Sequence, residues 1–181
     1  MTEQSWTKTD LHAVLKTEIG DLVVIWDEGA FPKVKAILLP SRKQKKAVAS
    51  TSRGKTMPPV VAKLQDYFAG RRVRWALGDL DLTGFSEFRL AVSRACCKIP
   101  RGKATSYGGL AAAAGRDGAA RAVGGVMAQN PFPIVIPCHR VVGSSGHLHG
   151  FGGRGVGLDI KRRLLEHEGH LMRDARHATL E

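Results

Sequence analysis

The stretch SYGGLAAAAGRDGAARAVGGVMAQ, Ser106 to Gln129, decides the fold of the second half of the chain. Ser106 is an N-cap residue ahead of a helix from Tyr107 to Ala114, and Gly115 closes that helix. Arg116-Asp117-Gly118 is a turn, and a second short helix runs from about Ala119 to Ala128. Helix, Gly-containing turn and helix is the helix-turn-helix pattern, which ordinary αα-hairpins share. The second helix is unusual. Ala119, Ala120, Ala122, Gly124 and Gly125 leave almost no side-chain bulk on one side, and Arg121 is the one long charged side chain. Such a face serves tight packing against another helix, or makes the helix thin enough to enter a narrow groove.

Upstream, Phe85 to Ile99 is amphipathic, with Phe88, Val92, Ala95 and Cys96 near one face, and Pro100-Arg101-Gly102 ends it. Thr83-Gly84 is a hinge, so domains are expected at 1–82 and 83–181. The first third reads as β-rich. Leu11 to Thr17 partly alternates, Ile19-Gly20-Asp21 is a turn, Leu22 to Trp26 is a β-branched run, and Lys33 to Leu39 is a third strand stopped by Pro40. Val60 to Ala69 has helical spacing and ends at Gly70; Arg71 to Leu82 reads as another strand. Between them, Ser41 to Pro59 carries Arg42, Lys43, Lys45, Lys46, Arg53 and Lys55 with no acidic residue. It reads first as a solvated loop, with extra phosphate contact as the alternative.

Downstream, Ile134-Val135-Ile136 is an apolar run expected to be a buried strand, stopped by Pro137 and followed by Cys138-His139-Arg140. A thiolate is the reactive form of cysteine, and an unperturbed thiol, with a pKa of about 8.5, is mostly protonated at neutral pH. An adjacent base solves that problem, and histidine is the usual one. In an extended chain neighbours point opposite ways, so Cys138 and His139 would couple through a bridging water. A buried cysteine beside a satisfied histidine is the plain alternative. Asn130 adds a polar group near the same end. Gly150 to Gly157 is glycine-rich, either flexible or a lid over a flat ligand, and Leu158 to His167 reads as a helix ending at Glu168-Gly169.

The totals point to a polyanion. Lys plus Arg is 28 and Asp plus Glu is 16, a formal net charge of +12. Nucleic acid is the commonest partner for such a field, although a merely basic protein shows it too. The 181 residues suit one large or two small domains, and 43% hydrophobic content supports a core. No run approaches the roughly 20 apolar residues that span a bilayer, and Met1 to Asp10 is not a secretory signal. A chain of cytoplasm or nucleus, not secreted, is expected. The three cysteines, with Cys96 and Cys97 adjacent, make a poor disulfide framework, so free thiols are expected and Cys96 and Cys97 read as core filler.

Pro137-Cys138-His139-Arg140-Val141 resembles the active-site signature of the O6-alkylguanine-DNA alkyltransferases. Thr105 to Ala111 resembles that family's first helix-turn-helix helix, Ala119 to Gly125 its recognition helix, and Asn130-Pro131 and Leu164 to Gly169 two further motifs, in the family's order over residues 83–169. The resemblance implies an α/β first domain (a small, ribonuclease-H-like sheet with a helix) and a mainly α second domain with a winged helix-turn-helix. It implies transfer of an alkyl group from O6-alkylguanine in double-stranded DNA to Cys138, once per molecule, with O4-alkylthymine a second possible substrate. His139 would take the thiol proton through a water, Glu168 would hold His139, Asn130 would orient the turn, and Tyr107 would hydrogen-bond the guanine. Arg121 would fill the gap left by the flipped base. Ser106, Tyr107, Ala119, Ala120, Ala122, Gly124 and Gly125 would lie on DNA. Pro133, Val141, Phe151, Gly152, Gly153 and Lys161 would surround the base. The physical chemistry agrees, since the alkylated atom is unreachable in a stacked duplex and the base must be extruded, and an Ala/Gly helix suits the minor groove.

The chain departs from the pattern in three ways. No Cys precedes Cys96, so the zinc of the family's animal members is not expected, nor any cofactor. Phe151 stands where many members carry Tyr, and the Gly150–Gly157 stretch is longer than usual. Small residues there, with Pro133 opposite, suggest room for alkyl groups larger than methyl. A monomer is expected, with no membrane partner. The rival readings are an alkyltransferase-like lesion binder, disfavoured by the presence of Cys138; a helix-turn-helix regulator, disfavoured by the Ala/Gly recognition helix; and a Cys-His hydrolase, for which no other substrate is indicated.

Overall fold

The structure, a computed structural model, describes residues 6–148 and 156–170. The chain divides into two compact units, Met1–Gly84 with Pro131–Val135, and Phe85–Asn130 with Ile136–Glu181. The grouping of Pro131–Val135 with the first unit is a feature no linear reading supplies.

The first unit is built on strands β1 (Leu11–Leu15), β2 (Leu22–Trp26), β3 (Val34–Leu38) and β4 (Ser52–Arg53), in the order β3-β2-β1-β4. β1 and β2 form an antiparallel hairpin in the register Leu11↔Trp26 to Leu15↔Leu22, while β4 pairs parallel with β1. Gly20, at φ 104°, makes the hairpin turn that the sequence suggested. Every residue of β2 is buried, which fits a central strand covered on both faces. Helix α2 (Pro59–Phe68) buries Val60, Val61, Leu64 and Tyr67 and ends at Gly70, φ 79°, with Arg71 N bonding to Asp66 O in a Schellman closure. A Cβ at Gly54 would fall 2.2 Å from Trp26 Cζ2, so only glycine lets the chain pass over the indole.

Two readings of the first unit are corrected. Ser41–Pro59 is not a loop: it holds helix α1 (Arg42–Ser50) and β4. Tertiary packing makes this helix, because Ala47 and Val48 join the cluster of Val23, Ile25 and Ala36, and Gln44 Nε2 donates to Leu38 O at 3.1 Å. Arg71–Leu82 is not a strand. It runs irregularly through a 3-10 turn at Leu77–Asp79, and of its residues Leu80 alone bridges to β3, at Val34. Its alternation reflects Trp75 leaning on Tyr67, ring centroids 6.3 Å apart, after the exposed Arg72 and Arg74.

The second unit is mainly helical. It contains α3 (Glu87–Cys97), β5 (Thr105–Ser106), α4 (Tyr107–Ala113), α5 (Ala120–Ala128), β6 (Val141–Val142) and α6 (Val156–His167). Ser86 and Ser106 cap α3 and α4, each hydroxyl accepting from the amide three residues on. Gly115 and Gly118, at φ 68° and 77°, shape the turn between α4 and α5. The apolar run before Cys138 is buried as expected but is not a strand: Ile134 sits at φ 76° in a turn. Pro137, at φ −79° and ψ 62°, is the centre of an inverse γ-turn, with Cys138 N bonding Ile136 O at 2.8 Å.

Candidate active site

Three local structures bring the site together within the second unit. The γ-turn at Pro137 leads into a single 3-10 turn, Cys138–Arg140, so Cys138 and His139 are not extended neighbours as the sequence suggested. β6 follows this turn at once and pairs parallel with β5, Thr105↔Val141 and Ser106↔Val142. β5 runs directly into α4, and that pairing carries Tyr107 toward the cysteine turn. Glu168 is the last residue before Gly169, φ 78°, whose amide bonds Glu166 O while His170 N bonds Leu165 O. This Schellman closure of α6 fixes where the carboxylate emerges.

Asn130 clamps the cysteine turn. Its Nδ2 donates to Ile136 O at 2.8 Å and to Cys138 Sγ at 3.0 Å, one bond at each end of the γ-turn. Cys138 is 5% exposed. Burial pushes its thiol above the ordinary range, while the Asn130 hydrogen bond and the Lys161 charge pull the other way. Lys161 is fully buried, donates to Val141 O at 2.6 Å, and lies 5.9 Å from the Tyr107 ring centroid. Burial brings its ammonium down to about 8, against the Cys138 thiol, which favours the charge. Burial, then proximity to Cys138, raises the Tyr107 phenol.

His139 is fully buried, and its Nε2 lies 2.9 Å from Glu168 Oε1. Burial opposes the Glu168 carboxylate, but hydrogen bonds from His139 and Arg140, with their charges, overcome it and hold the group far below the usual carboxylate range. A carboxylate only accepts, so Nε2 carries the hydrogen and the neutral ring presents a bare Nδ1. Burial lowers the imidazole pKa despite Glu168, which agrees with a neutral ring. His139 Nδ1 is buried without a hydrogen-bond partner among the described residues.

The sequence reading overlooked Arg140. Its Nε and Nη2 bond both Glu168 oxygens at 2.8 Å, and Nη1 donates to Ile99 O at 2.6 Å. Its place in Cys138-His139-Arg140 was the available signal, since a buried carboxylate needs more than one donor. At and along α5, Arg121, Ala122 and Gly125 are exposed, Ala119, Ala120 and Gly124 partly so, and a Cβ added at Gly124 would lie 3.9 Å from Tyr107 Cδ1. Ser106 is taken up as the α4 cap, accepting from Gly109 N at 3.0 Å. Val141 is buried in the second unit, and Pro133 is buried in the segment grouped with the first. Phe151, Gly152 and Gly153 lie outside the described residues. Among the described residues no His/Cys/Asp/Glu cluster could hold a metal ion, and no helix is long and apolar enough to cross a membrane.

Residues 87–170 match the family model of the 6-O-methylguanine DNA methyltransferase DNA-binding domain. A methylated-DNA–protein-cysteine methyltransferase of Methanothermobacter thermautotrophicus is 38% identical over 154 residues, 82% of this chain and 80% of that protein. The chain belongs to the 6-O-methylguanine DNA methyltransferase family. A member from Mycobacterium leprae, carrying the same methyltransferase name, is 48% identical over 110 residues, 61% of this chain. That match spans 64% of the relative, less than two thirds of its length. The crystal structure of the Mycobacterium tuberculosis O6-methylguanine methyltransferase superposes with a TM-score of 0.72 at 33% identity, covering 88% of this chain and 92% of that one. The same organism's protein in complex with DNA gives 0.67 at 34% identity, covering 87% and 92%.

Proposed function

We propose that this chain repairs DNA by moving an alkyl group from O6 of guanine in a duplex to Cys138 Sγ, once per molecule. The observation that carries the reading is the set around one sulfur. Cys138 Sγ is held at 3.0 Å by Asn130, beside a buried histidine tied to Glu168 through Nε2 and unpartnered at Nδ1. The thiol proton passes through one water to His139 Nδ1, and Glu168 stabilises the imidazolium. Sulfur forms its bond to the alkyl carbon as the C–O6 bond breaks, the electron pair returns to the ring, and guanine regains a proton. Tyr107, with its raised phenol, stays a donor to the base. Because burial keeps the resting thiol protonated, the thiolate forms only when the relay is engaged. No side chain in the set can cleave the resulting thioether, so turnover stops at one.

Duplex DNA is the partner; the M. tuberculosis relative is solved in complex with DNA. α5 is the winged helix-turn-helix recognition helix lying in the minor groove, with Arg121 occupying the space of the extruded base. Val141 and Lys161 line the base pocket. The first unit is the ribonuclease-H-like domain, and the chain works as a monomer in cytoplasm or nucleus. The domain boundary falls at the Thr83-Gly84 hinge.

The test is intact-protein mass after incubation with a duplex carrying one O6-methylguanine. A gain of one methylene mass, mapped to Cys138, ending at one methyl per protein and absent in Cys138→Ser, is expected. Tight lesion binding without a mass gain would replace this reading by a non-catalytic lesion binder.

A further inference from the structure

Helix α1 is built against its own electrostatics. Lys43, Lys45 and Lys46 are exposed near its N-terminal end, no acidic residue stands in its first turn and no basic one in its last. This is the unfavourable orientation for a helix dipole. Lys43 and Lys46 are also like charges three residues apart, which repel. Ser41 stands at the N-cap without a side-chain capping bond. Arg53 and Lys55, both exposed, extend the same positive run through β4, and Ser41–Pro59 holds no Asp or Glu.

Three other cations of this unit form ion pairs. Lys35 pairs with Asp10 at 2.7 Å, Lys63 with Asp79 at 3.0 Å and Arg71 with Asp66 at 2.5 Å. Lys43, Lys45, Lys46, Arg53 and Lys55 have no ion pair among the described residues. The element is nonetheless firmly held. Ala47 is fully buried in the sheet cluster, and Thr51 Oγ1 donates to Ala47 O at 2.8 Å and bonds His12 Nδ1 at 2.8 Å. A fixed helix that carries unneutralised, mutually repelling charge is relieved by a polyanion.

We infer that α1 and β4 form a second contact surface for the phosphate backbone of duplex DNA, carried by Lys43, Lys45, Lys46, Arg53 and Lys55. The charges are strung along an element rather than converged on one point, which suits a line of phosphates and not a single small anion. The apolar residues Ala47 and Val48 face the core, so no apolar face is left to enter a bilayer, as a membrane-surface helix requires. The surface reads no bases and adds affinity without sequence preference. The inference rests on the proposed DNA partner.

The test compares the full chain with the triple variant Lys43→Gln, Lys45→Gln, Lys46→Gln on an undamaged duplex, by fluorescence anisotropy across a salt series. Each lysine that neutralises a phosphate adds about 0.9 to the steepness of log K against log salt, or roughly eightfold in affinity at 0.1 M salt. The triple variant should show a shallower slope and weaker binding to match. The methylation endpoint at Cys138 stays at one per protein, which shows that the variant is folded. Lys43→Glu separates contact from structure: it raises the melting temperature by favouring the helix dipole and weakens duplex binding. An unchanged salt slope in the triple variant, with wild-type binding intact, overturns the second surface alone. Failure of the wild-type chain to bind any duplex would remove the DNA reading and this surface with it.

Discussion

Glu168 accepts from His139 and Arg140 at once, at 2.9 and 2.8 Å, and this sharing decides how the site answers to pH and to mutation. Glu168→Gln leaves Arg140 buried without its counter-charge and His139 without its orienting acceptor. The expected results are a loss of about 3–5 kcal/mol in denaturant titration and single-turnover alkylation about 10²- to 10⁴-fold slower. The folded His139 binds its proton less readily than an unfolded imidazole, which titrates near about 6.5, so below that pH the unfolded chain takes up more protons and stability falls. Glu168, held low in the fold, adds stability above about pH 4.3 that disappears as pH drops through its folded value. Denaturation should therefore show one decline that sets in below about pH 6.5, from His139, and a second below about pH 4.3, from Glu168, and His139→Gln should remove the first. Lys161→Met takes away the charge that opposes the burial-raised Cys138 thiol, and should move the alkylation pH–rate profile to higher pH. At this scale the sequence singled out residues that the fold brings into two hydrogen-bonded pairs, Asn130 with Cys138 and His139 with Glu168, because these residue types are chemically distinctive. Arg140 was given no role because arginine is common, and its place beside Cys138-His139 says nothing of its burial, 7% exposed.

Elements were legible where local signals agree with packing. Ser106, Gly115 and the Ala/Gly run specified α4 and α5, since the cap, the left-handed residue and the face all point one way. α1 was missed because it has no capping side chain and its charges oppose the helix dipole, although Arg, Lys, Gln and Ala favour a helix, and its place rests on Ala47 and Val48 packing on the strands. The run at Ile134–Ile136 was misread because buried apolar residues look alike in a strand and in a turn, and nothing local announces an isoleucine at φ 76°. Gly125 gives the sharpest test of α5. A Cβ there meets nothing within 4 Å, so the fold does not need glycine at this position. Gly125→Leu should stabilise the helix by about 0.5–1 kcal/mol. If α5 lies in a groove, the same change should weaken duplex binding by about tenfold, roughly 1.4 kcal/mol. Melting and anisotropy on the same sample check both; unchanged binding would take α5 out of the groove.

Across the whole molecule, the most consequential feature is the route of Pro131–Val135. Asn130 and Ile136 lie in the second unit, yet the five residues joining them group with the first. Pro131 O accepts from Ile37 N of β3 at 2.8 Å, and Phe132 is fully buried. Asn130 and Ile136, which that segment connects, are also the two ends of the clamp that positions Cys138. The turn that carries Cys138 is thus continuous along the backbone with a segment packed in the first unit. Phe132→Ala should cost about 3–5 kcal/mol, as large aromatic truncations in cores do. Amide protection should fall first at Ile37 and its β2 partners, not in α4 or α5. Alkylation at Cys138 should slow in parallel, because the Asn130 amide no longer spans a fixed turn. Hydrogen exchange combined with single-turnover kinetics measures both, and a stable first unit with slowed transfer would show instead that Phe132 acts on the site directly.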